Sequence, residues 1–183
     1  MRKRNNISIE YLRQCLREED GKLYWLVRPR DHFPTERSWK TWNSAWSGRE
    51  AGCICYPQGK DEPPRWRIRI NYINFYRYRL IWALKYGEWP DELDHKNNDP
   101  MIDSSEETRI STHSQNMGNQ RVRSNNKSGY KGVSWITKRQ KYQAMIKVNY
   151  KGKFLGYYDT AEEAAKAYAE GSKKYFGEFS RIY

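Results

Sequence analysis

The sequence predicts an α+β protein made of two small sheet-and-helix units. Three observations carry this expectation. Residues 129–183 hold three short strand runs followed by one long helical run. Upstream, "RWRIRINYINFYRYRLIW" reads as strands passing into a helix. Between the two lies "QRVRSNNKSG", polar and basic with no apolar period, which reads as a linker. The expected organisation is therefore a domain over 1–119, a linker over 120–128 and a domain over 129–183, which 183 residues can supply.

The elements follow in order. Ser8 can cap a helix in which Ile9, Leu12 and Leu16 share one face, ending before Gly21. "KLYWLV" is the next strand. Residues 28–64 are rich in Pro, Gly, Ser and charge and read as an irregular insertion. The helix expected at 79–86 is stopped by Gly87 and Pro90. After the linker, "GVSWIT", "YQAMIKVNY" and "KFLGYYD" are candidate strands of a three-stranded antiparallel sheet. In the middle one Ala144, Ile146 and Val148 alternate with Gln143, Met145 and Lys147, giving one apolar face. Thr160 and Glu163 form a capping-box pair for the final helix. Ala161, Ala164, Ala165 and Tyr168 give that helix a face that can lie on the sheet, Gly171 weakens it and Gly177 is placed to end it.

Composition narrows the function. A net charge of +12 points to a polyanionic partner, most often nucleic acid. Eight Trp and fifteen Tyr exclude a disordered basic tail. "MRKRNN" is followed by no apolar core, so no secretory signal is expected. The longest clean apolar stretch, "LIWAL" at 80–84, is too short to cross a bilayer, so no membrane partner is expected. Three cysteines, Cys15, Cys53 and Cys55, argue against a disulfide framework, and Cys53-Ile54-Cys55 lacks a second ligand pair at zinc spacing.

The charge in the last unit is segregated. From Lys131 to Lys153 stand Lys131, Lys138, Arg139, Lys141, Lys147, Lys151 and Lys153, with no acid among them. The acids Asp159, Glu162, Glu163, Glu170 and Glu178 gather in and around the helix. One sheet face is thus expected to be positive and to carry Trp135, Tyr142 and Met145, a surface suited to a DNA groove. The segment "SGYKGVSW…KYQAMIKV…KGKFLGYYDTAEEAAKAYAEGSKKYFGEFSR" resembles the AP2/ERF DNA-binding domain over about 128 to 181. The resemblance implies duplex DNA as partner, bound through the sheet. The candidate contact residues are Lys131, Ser134, Trp135, Lys138, Arg139, Gln143, Met145, Lys147 and Lys153, with Arg121 and Arg123 from the linker.

The middle region carries a second constellation. Asp94-His95 would end a strand, "EETRIST" would form another, and "STHSQNMGNQ" would form a helix capped by Thr112 and Gln115. In that layout Asp94 and Asn116 can ligate one Mg²⁺ or Mn²⁺, and His95 can take a proton from water. "RYRLIWALKYGEWPDELDHKNNDPMIDSSEETRISTHSQNMGNQR" resembles the HNH endonucleases of the phage and intron homing type over about 76 to 122. The resemblance implies a ββα-metal nuclease fold, with Asp94, His95, Asn116 and Glu107 as catalytic positions and one ion held by Asp94 and Asn116. Two positions depart from the family: Tyr78 stands where an upstream His is usual, and Glu107 where the central Asn is usual. An ionised Glu accepts a hydrogen bond and cannot donate one. His113 and Asn97 and Asn98 could touch phosphate, or be an exposed helix residue and loop formers.

The expected function is metal-dependent hydrolysis of phosphodiester bonds in duplex DNA. The AP2-like domain would anchor a monomer or a DNA-templated dimer in the cytoplasm of a bacterial or phage-infected cell. The alternative is a catalytically degenerate protein that binds DNA without cutting it.

Overall fold

The computed structural model describes residues 7–57 and 63–182, so the reading of residues 1–6 lies outside the described residues. The chain is mixed α+β, with five α-helices and several small antiparallel sheets among the described residues. It divides into two compact units. The first takes in the chain up to Pro90 together with Asp99–Arg109, and the second takes in Asp91–Asn98 and Ile110 onward.

In the first unit, α1 (Ile9–Cys15) starts where Ser8 Oγ accepts from the Tyr11 amide. It ends earlier than the sequence spacing suggests. Leu16 opens β1 (Leu16–Glu19), which pairs antiparallel with β2 (Lys22–Trp25). Leu16 is buried either way, so the apolar spacing could not tell a helix's last turn from a strand's first residue.

The stretch expected to be irregular contains a helix, α2 (Glu36–Trp46), closed at its start by a capping box between Thr35 and Ser38. Its tryptophans tie the segment down. Trp39 Nε1 donates to the Arg28 carbonyl at 2.8 Å, and Trp42 meets Trp25 edge-on at 5.0 Å. Trp39, Trp42 and Trp46 were the sequence signal, masked by the surrounding Pro, Gly and Ser.

Strand β4 (Arg65–Ile70) lies between β3 (Cys53–Cys55) and β5 (Ile73–Tyr76), and α3 (Arg77–Tyr86) follows directly. Gly87 ends α3 in the left-handed conformation, as expected. Ile68, Ile70, Phe75, Leu80 and Ile81 join Leu12, Leu16 and Leu23 in one core. Arg77 is buried yet forked between Asp103 at 2.6 Å and Glu50 at 3.0 Å. All three cysteines are free.

In the second unit, β8 (Val133–Ile136), β9 (Lys141–Val148) and β10 (Lys151–Tyr158) form an antiparallel sheet of order β10–β9–β8. Helix α5 (Ala161–Phe176) packs on it, with Ala144, Ile146, Ala164, Tyr168 and Phe176 between them. The capping box of Thr160 and Glu163 forms, and Gly177 ends the helix. Gly171 has a packing reason: a Cβ there would stand 2.9 Å from Leu155. The unit also holds β6 (Leu93–His95) and α4 (His113–Asn119), while β7 (Thr108–Ile110) spans the crossing from the first unit.

The unit boundaries differ from those drawn on the sequence, because residues 91–98 and 110–119 belong with the C-terminal sheet. The stretch expected as a linker is braced. Asn126 Oδ1 accepts from the Ser128 and Gly129 amides, and Ser128 Oγ donates to the Val133 carbonyl.

Candidate active site

All three residues of β6, Leu93, Asp94 and His95, are buried. An aspartate at 3% exposure needs donors around it, and α4 supplies them. Thr112 and Gln115 form the expected capping box and fix the helix start, and its last residue, Asn119, is 4% exposed. Asn119 Nδ2 lies 2.9 Å from both carboxylate oxygens of Asp94 and 2.9 Å from the His95 carbonyl. Its Oδ1 accepts from Asn98 Nδ2 at 2.8 Å, which fixes the orientation of the amide. Arg121 donates to the Asn98 carbonyl at 3.3 Å. One asparagine thus ties together the aspartate, the backbone that presents the histidine and the following loop.

Asn116 is expected to share a metal ion with Asp94; the amide in direct contact with Asp94 is that of Asn119, three residues on. Asn116 Nδ2 turns toward Glu92 Oε2 at 3.5 Å. Glu92 also accepts from His113 Nδ1 at 3.1 Å, and the His113 ring stacks on Tyr150 at 5.6 Å. Glu107 lies in the turn before β7 with its amide on the Ser104 carbonyl, and it belongs to the first unit, as does Tyr78 on α3. Asn119 and Glu92 were missed. The signal for Asn119 was the repeat Asn116–Asn119, one helical turn apart.

The oxygen donors that β6 and α4 carry are the carboxylate of Asp94 and the amide oxygen of Asn116, with the Glu92 carboxylate just before β6. That set suits a hard ion such as Mg²⁺ or Mn²⁺. Among the described residues there is no group of three His, Cys, Asp or Glu side chains that could hold a metal ion.

The candidate DNA contacts separate by strand register. Ser134 stands opposite Gln143, and Phe154 opposite Met145. By alternation these share with Lys147 the face that α5 does not cover. The Arg139 guanidinium lies 4.7 Å from the Tyr157 ring centroid, and Lys138 is exposed in the turn between β8 and β9. Arg121 and Arg123 are exposed in the braced segment.

Three expected contacts fall elsewhere. Trp135 pairs with Tyr142, on the helix side of the sheet, and meets it edge-on at 4.8 Å. Lys153 stands opposite Ile146 and carries its ammonium over the Tyr175 ring at 4.9 Å. Lys131 donates to the Gly118 carbonyl at 2.5 Å and the Gln120 carbonyl at 2.7 Å, closing the C-terminal end of α4. Burial, reinforced by the Arg181 charge, pushes its ammonium down to about 8.

The class these observations define is a mixed α+β chain whose second unit joins a buried Asp–His strand, an asparagine-bearing helix and a basic sheet. Against known proteins, the chain is 26% identical over 121 residues to Protein 3.8 of Escherichia phage T7, covering 63% of this chain and 99% of that protein. No family model matches the chain. No solved structure matches it. Among the described residues no helix is long and apolar enough to cross a membrane.

Proposed function

We propose that the chain is a metal-dependent endonuclease of the HNH type that hydrolyses phosphodiester bonds of duplex DNA, held on its substrate by an AP2-like sheet. One observation carries the reading: Asp94 and His95 are buried side by side and tied by Asn119 to a helix of the unit that bears the basic sheet. His95 takes the proton from the attacking water. Asp94, with Glu92 and the Asn116 oxygen, would hold Mg²⁺ or Mn²⁺, which when bound supplies charge stabilisation for the pentavalent phosphate and the departing oxygen. Asn119 fixes the Asp94 carboxylate and the backbone that aims His95. Lys147 and Arg139, with Gln143 and Ser134 between strands, hold the phosphates and reach the base edges. The similarity to a phage protein favours a phage-infected bacterial cell as the setting.

A second reading, a DNA-binding protein without nuclease activity, is favoured by the engagement of both Asp94 oxygens by Asn119. Incubation of the purified chain with duplex DNA, with and without Mg²⁺ or Mn²⁺, separates the two. Cleavage that needs the metal and disappears in His95→Ala, with DNA affinity retained, is the expected result. A wild-type chain that binds and never cuts under either metal establishes the second reading.

A further inference from the structure

The first unit carries a basic face that the proposed reaction does not use. Strand β4 alternates strictly. Ile68 and Ile70 are buried, while Arg67 and Arg69 are exposed and Arg65 is half-buried on the opposite face. Arg67 stands across the ladder from Tyr76, and Arg69 from Asn74. The guanidinium groups of Arg65 and Arg67 lie 5.4 and 5.2 Å from the Tyr76 ring centroid, and that of Arg69 lies 5.3 Å from the Tyr72 ring. Residues 63–76 contain no Asp or Glu. Stacking on tyrosine rings pre-orients these arginines, and a planar guanidinium fork suits two-point contact with a phosphate.

The turn that joins β4 to β5 adds a second, independent observation. Asn71 and Tyr72 have φ of 48° and 65°, a two-residue turn whose second position favours glycine. A tyrosine there strains the backbone, and at 88% exposure its burial does not offset the strain. The second unit repeats the device. Asn149 and Tyr150, with φ of 48° and 66°, join β9 to β10, and Tyr150 is 73% exposed. One chain thus builds the same hairpin twice, each with an exposed tyrosine at a strained tip and cations along the outward strand.

We propose that the outward face of β4 and β5, with Arg65, Arg67, Arg69 and Tyr72, binds the phosphate backbone of duplex DNA as a contact separate from the β8–β10 sheet. The proposal rests on the nuclease reading only for its choice of partner. The Cα atoms that carry these arginines recur about every 6.8 Å along the strand, which sets a row of cations along one edge of the kind a polyphosphate backbone can meet.

The test uses the full-length chain and fluorescence anisotropy on a random-sequence duplex across a salt series. Relative to wild type, the Arg67→Gln/Arg69→Gln variant should flatten the slope of log affinity against log salt by about two, roughly 0.9 for each phosphate no longer neutralised. Arg67→Lys/Arg69→Lys should restore most of that slope. Tyr72→Gly should weaken binding while its thermal midpoint holds or rises. A Gln pair with the wild-type midpoint, slope and affinity overturns the proposal, as does Tyr72→Gly with unchanged affinity. If the Gln pair loses affinity for polyglutamate but keeps DNA, the face serves an acidic protein and the proposal fails. A wild-type chain that does not cut bears on the nuclease reading alone. Loss of binding in Lys147→Ala with none in the Gln pair sinks this proposal alone.

Discussion

Asn119 concentrates the chemistry of the site in one side chain. Removing it as Asn119→Ala takes donors from a buried carboxylate, a loss of about 1.5–3 kcal/mol for hydrogen bonds to a charged group. Chemical denaturation should show that loss, and any cleavage activity should fall by more than DNA affinity does, because misplacing His95 matters most in the transition state. A variant that is as stable and as active as wild type would remove Asn119 from the site. Lys131 offers a pH test. Its ammonium is pushed down to about 8 in the folded chain, against about 10.4 for a free lysine. Between those values the unfolded state binds more protons, so this group makes stability rise with pH across that window, with its penalty fully present below it. Urea midpoints at several pH values should show wild type gaining on Lys131→Met as pH rises through that window.

At the scale of elements, α4 is as much a part of the C-terminal unit as its own strands are. Lys131 closes its C-terminal end, Ser114 Oγ accepts from the Asn149 amide at 2.9 Å, and Gly118 lies against Phe176. A Cβ at Gly118 would stand 2.7 Å from the Phe176 ring. Because that ring is buried, Gly118→Ala should cost about 1–3 kcal/mol by overpacking, read in the thermal midpoint. The sheet gives a second check: Lys147→Ala should weaken duplex binding clearly more than Lys153→Ala, since Lys153 lies over Tyr175 on the helix side. Equal losses measured by anisotropy would contradict the register argument. Legibility follows the same division. The strands 133–136, 141–148 and 151–158 and the capping boxes of α4 and α5 were readable because alternation and capping are local rules. Helix α2 was not, because its tryptophan spacing sits among turn-forming residues and takes its stability from packing on Trp25 and Arg28.

Over the whole molecule, the chain crosses between its units at 90/91, 98/99 and 109/110, not at the polar stretch 120–128. A segment of residues 110–183 should therefore melt at a higher temperature than one of 124–183, which lacks α4 and bares Phe176 and Lys131. Identical melting curves for the two segments would show that α4 contributes nothing to that unit.

The sequence by itself determined the α+β class, the three-stranded sheet with its helix, the basic charge and the Asp94-His95 pair. Each of these is written in short-range patterns: alternation of two, turns of 3.6 residues, caps three residues apart and simple composition. Tertiary structure alone decided that Asn119 meets Asp94, a contact the sequence reading did not name, and that Lys131 and Lys153 leave the open face. It also joined residues 91–98 to the C-terminal sheet. Those outcomes depend on which groups meet at a distance along the chain, from 11 positions for Lys131 and Gln120 to 25 for Asn119 and Asp94. Packing and the demand that buried polar groups be paired settle such meetings, and no local pattern encodes them.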